Sequence, residues 1–63
     1  MHHTREELTE ALRQVESTIA KLEKVVIALA ESARAQRTLA VRRLAAFRIA
    51  AELIRLELEE DRQ

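Results

Sequence analysis

None of the 63 positions of this chain is glycine or proline. Those two residues supply most tight chain reversals, glycine because it reaches positive φ without a clash and proline because its ring presets φ. A sheet built from so short a chain needs several such reversals, so a β-rich fold is excluded and one with very few turns is favoured. Alanine, leucine, glutamate and arginine fill the sequence instead, all of them good helix formers. The expected class is all-α.

Size then limits how the helices can be stabilised. A single domain of this length buries only about 60% of the surface its unfolded chain exposes. Small folds recover the deficit with disulfides, metals or association. There is no cysteine, which removes disulfides and thiolate metal sites and leaves association. Hydrophobic residues make up 48% of the chain and charged ones 35%, too apolar for a disordered segment. The longest stretch without a charge, Val25 to Ala30, is six residues, against the roughly 20 a membrane helix needs. No apolar run follows Met1, so no signal peptide is expected, and a cytoplasmic location is the default.

Thr4-Arg5-Glu6-Glu7 reads as a helix start, with Thr4 as cap and Glu7 placed to return a bond to the Thr4 amide. From there Leu8, Leu12, Val15, Ile19, Leu22, Val26, Leu29 and Ala33 recur at alternating steps of four and three. This is a heptad seam. A second seam runs Ala40, Leu44, Phe47, Ala51, Ile54 and Leu58 with the same alternation. The first seam, continued at strict spacing, lands on Gln36 and Arg43, so the frame shifts between Ala33 and Ala40. Either one long helix carries a stutter there or the chain turns. Ser32, the best capping residue of the region, and the equal lengths that a break there leaves favour the turn. The expected organisation is a disordered tail at residues 1–3, a helix at about 5–31, a turn at about 32–34 and a helix at about 35–61, paired antiparallel. The missing glycine weighs against the turn, because helices commonly end on a left-handed residue.

The second helix is apolar on more than one side. Beside its first stripe, Leu39, Ala46, Ala50 and Leu53 form a second, and Ile49 and Leu56 lie further round. One neighbouring helix cannot cover both. Leu39, Ala46, Ile49, Ala50, Leu53 and Leu56 are therefore the expected oligomer interface, and a two-fold dimer of hairpins forming a four-helix bundle is the expected assembly, with a tetramer as the alternative. On the narrow charged face, Arg48–Glu52 and Arg55–Glu59 have the i,i+4 spacing of local ion pairs.

Charge is unevenly distributed. Residues 1–31 carry four basic and six acidic side chains, residues 32–51 five arginines and no acid, and residues 52–63 two basic and five acidic side chains. Arg34, Arg37, Arg42, Arg43 and Arg48 thus make the hairpin tip basic, and the planar guanidinium suits phosphate. Binding of nucleic acid or another polyanion is the sharp reading. Against it stand the zero net charge of the chain, the want of an aromatic near the tip for base stacking, and Glu23 and Glu31 as nearby partners. A solvated, ion-paired tip is the favoured reading. Arg43 falls inside the apolar arc, either crossing to Glu16 or Glu23 or laying its stem on the core with its head in water; the second is favoured.

Nothing in the chain suggests catalysis. His2 and His3 sit in the tail, and the Glu-x-x-His pairs of bundle di-metal sites do not occur. Without cysteine, tyrosine or a glycine loop, no catalytic residue, cofactor, metal or small-molecule substrate is expected. The functional expectation is an assembly or protein–protein interaction module whose partner is itself, with polyanion binding as one alternative. A designed helical scaffold is another, since the capping box, regular seams and helix-former composition agree with design rules.

Overall fold

The computed structural model of the chain describes residues 3–29 and 33–61. It consists of two helices, α1 (Arg5–Ala28) and α2 (Arg34–Asp61), packed against each other as an antiparallel hairpin. No strand occurs among the described residues, and none of their helices is long and apolar enough to cross a membrane.

The start of α1 is the capping box. The Glu7 backbone N–H donates to Thr4 Oγ1 at 3.0 Å, and the Thr4 backbone N–H donates to Glu7 Oε1 at 2.8 Å. Two of the otherwise orphaned amide donors of the first turn are thereby satisfied. Glu6 and Glu7 also lie at the positive end of the helix dipole.

α1 ends at Ala28, short of the expected position 31, and Arg34, expected in the turn, is the first residue of α2. The exit explains how a chain without glycine leaves a helix. Leu29 has φ −71° and ψ 128°, ordinary extended backbone, while its N–H still donates to the Val25 carbonyl at 3.0 Å. No described residue has positive φ, so the described part of the reversal uses only conformations open to any L-residue. Ser32, the expected cap, and Glu31 lie outside the described residues, as do Met1 and His2 of the tail. His3 is exposed, with Nδ1 3.9 Å from Glu7 Oε1.

The two seams meet. Ala40, Leu44 and Ala51 are buried, with Ala51 only 1% exposed. Phe47, Ile54 and Leu58 on α2, and Leu8, Leu12, Val15, Ile19, Leu22 and Val26 on α1, are half-buried around them. Alanine at the most enclosed position lets the backbones approach, while leucine and isoleucine fill the layers on either side.

This core is thin. The molecule measures 49 × 15 × 14 Å, and its radius of gyration is 14.4 Å, against about 10.6 Å for a compact chain of this length. Its accessible surface is 5331 Å². A compact monomer of this mass exposes about 4,200 Å².

Candidate functional site

The ends of the hairpin are tied by arginines. Arg5, in the first turn of α1, donates from Nη1 to the Leu58 carbonyl at 3.2 Å, and Arg37, in the second turn of α2, donates from Nε to the Val26 carbonyl at 3.3 Å. Each reaches the carbonyl-rich end of the opposite helix, where peptide acceptors lack partners and the dipole is negative. These reciprocal clamps were not foreseen from the sequence. The available signal was an arginine near the start of each of two antiparallel helices of similar length.

Between the clamps, Arg48 Nη2 donates to Glu23 Oε2 at 2.8 Å and Arg55 Nη2 to Glu16 Oε2 at 2.6 Å. This corrects the expected local pairs. Both arginines cross to α1 rather than bonding Glu52 and Glu59, because both lie at the flank of the buried seam, and Glu16 and Glu23 repeat on α1 at the same seven-residue spacing as Arg48 and Arg55 on α2. It also corrects one reading of Arg43. Glu16 and Glu23 accept from other arginines, and Arg43 stays exposed.

The five tip arginines are thus not one patch. Arg48 is paired across the hairpin and Arg37 bonds a carbonyl. Arg34, Arg37 and Arg42 line a shallow cavity of about 280 Å³ with Thr38 and Val41. Arg43 follows Arg42 and so lies about 100° further round the helix.

The apolar face of α2 turned away from α1 is open. Leu39 is 46% exposed, Ile49 59%, Leu53 60% and Leu56 49%. Ala46 lies among them and is exposed, while Ala50, at the border with the core, is half-buried. Near the open end of the hairpin this face runs into a groove of about 440 Å³, floored by Leu8, Ala11, Leu53 and Ile54 and rimmed by His3, Glu7 and Glu57. On α1 the large exposed apolar residues are Val25 and Ile27, in its last turn.

Two carboxylates are held below the ordinary carboxylate range. Glu7 is lowered first by the bond from the Thr4 amide and then by the Thr4 hydroxyl. Glu10 is lowered by the Gln14 side-chain amide and then by Arg13, whose atoms stand 2.8 and 2.7 Å from its oxygens. Both carboxylates serve the α1 helix itself. Among the described residues, no three His, Cys, Asp or Glu side chains converge to hold a metal ion. No protein-family model matches the chain, and no curated protein or solved structure shows significant similarity to it.

Proposed function

We propose that the chain is a self-associating helical module, and that a second copy of the hairpin covers the outer face of α2 to form a four-helix bundle. The observation that carries this reading is the open row of Ile49, Leu53 and Leu56, each about half exposed or more, on the face opposite the seam that α1 fills, with the half-exposed Leu39 at its border toward the turn. Exposed leucines scattered singly are ordinary, but a contiguous row on one helix face marks an interaction site. The surface balance supports the same reading. The chain exposes roughly 1,100 Å² more than a compact monomer of its mass, comparable to the roughly 800 Å² each partner contributes to a standard interface. Light scattering on a dilution series tests it. Leu53→Glu places a charge in the centre of the row and is expected to halve the mass and to lower helicity with it. An unchanged mass for that variant removes the outer face from the interface.

A second reading is favoured by the cavity that Arg34, Arg37 and Arg42 line. Guanidinium groups around a concavity can fork onto a phosphate, which would make the tip a polyanion site. Duplex DNA binding at low ionic strength that falls steeply with added salt is the expected sign, and no binding at low salt excludes it.

A further inference from the structure

The outer face of α2 has a register that matches itself when reversed. Arg42, Ala46, Ile49, Leu53, Leu56 and Glu60 recur at steps of four, three, four, three and four, a second heptad seam rotated away from the buried one. Its members are disposed symmetrically about Ala51: positions 49 and 53, 46 and 56, and 42 and 60 are each equidistant from it. An isologous two-fold contact requires this property, that residue i meets residue j while j meets i.

We infer that the second copy binds with its α2 antiparallel to the first, centred near Ala51, so that Arg42 of each copy meets Glu60 of the other. This rests on the self-association proposed above and specifies its geometry. Ile49 then packs on Leu53 and Ala46 on Leu56, each pair occurring twice, with an arginine–glutamate pair closing each end of the apolar stretch. On one flank Arg43 faces Glu57 of the other copy, and the half-buried Ala50 lies beside its own counterpart at the axis, small enough for the helices to approach. Glu57 stands on the rim of the 440 Å³ groove with Glu7, so the incoming Arg43 enters an acidic, apolar-floored recess. On the other flank Glu52 meets its own counterpart, a like-charge contact between the two α2 helices.

Charge decides between the two orientations. Residues 32–51 carry five arginines and no acid, and residues 52–63 carry five acids against two arginines. A parallel pair of α2 helices would set the basic halves side by side, whereas the antiparallel pair sets each basic half against an acidic one. Within α2 itself the distribution opposes the helix dipole, with no acid in the first turn and no base in the last. An antiparallel neighbour compensates both ends. None of the ion pairs among the described residues uses Arg42, Arg43, Glu57 or Glu60, which leaves these four for the contact.

Charge reversal provides the test. Arg42→Glu alone and Glu60→Arg alone each set like charges together twice and are expected to weaken self-association roughly tenfold or more. Mixing the two single variants is expected to give a heterodimer in preference to either homodimer, and Arg42→Glu/Glu60→Arg in one chain to restore the homodimer. Spin labels at Thr38 give an independent distance. Antiparallel pairing about Ala51 separates the two labelled backbones by about 40 Å, and parallel pairing brings them within about 10 Å. A wild-type dimer with a short Thr38 distance, or with no rescue by the double reversal, overturns this register while the assembly reading stands. A wild-type monomer at high concentration overturns both.

Discussion

Each helix turns one apolar seam to the other, yet α2 carries an outer apolar row along its length, whereas the exposed large apolar residues of α1, Val25 and Ile27, are confined to its last turn. α1 is amphipathic in the ordinary sense. Its seam is turned to α2, its first turn is capped, and acids stand at its positive end. α2 buries its seam more tightly, with Ala51 at its centre, but carries a second apolar row that α1 does not cover and charges that oppose its own dipole. A helix stabilised by one neighbour needs a stripe about a hundred degrees wide. The wider arc of α2 is more than one neighbouring helix can cover.

The largest expected effect comes from breaking what the two helices share. Leu44 is 7% exposed in the seam, and Leu44→Ala removes its methyl groups and leaves a cavity, at a cost of about 2–5 kcal/mol. For so thin a core this should abolish the cooperative thermal transition followed by circular dichroism; a melting curve like the parent's would mean that α2 does not depend on α1. Next in size is the face the helices do not share. Ile49→Asp should leave the hairpin contacts intact but weaken association by roughly 2 kcal/mol or more, seen as lower mass at equal concentration and a melting temperature that no longer rises with concentration.

The third separates the well-capped helix from the other. Thr4→Ala should cost about 1 kcal/mol, with the loss confined to α1 in amide hydrogen exchange. Acid should act at the same place. The folded pKa of Glu7 lies below its unfolded value, so its contribution is present above the unfolded pKa and disappears as pH falls through the folded one. The parent chain should therefore lose α1 protection in that window, and Thr4→Ala should lose less, having already lost the bond. The smallest effect concerns the cross-helix pairs. Glu16→Gln removes a bridge whose partners are about half exposed and should cost about 0.2–1 kcal/mol, diminishing with salt; an effect persisting at high salt would point to packing by the Arg55 stem instead.

Much of the hairpin was legible because burial follows the three-four alternation. The positions the seams name, Leu8 through Val26 and Ala40 through Leu58, are withdrawn from solvent, joined only at their borders by Thr18 and Ala50. The capping box was legible because its two partners lie three residues apart and need no tertiary contact. The end of α1 was not. Val25 to Ala30 are all compatible with helix, and the chain leaves at Leu29 through extended backbone that no residue type announces. Nor were the partners of Arg48 and Arg55, since an i,i+4 glutamate and a cross-helix glutamate look alike until the register of two helices is known. The outer row of α2 was visible as an excess of apolar residues, and the hairpin leaves it open.

Sedimentation equilibrium over a concentration series tests the proposed self-association most directly. A species of twice the 7.3 kDa chain mass is expected at micromolar concentration, dissociating on dilution with loss of helicity. A folded, helical monomer that persists across the series would contradict it.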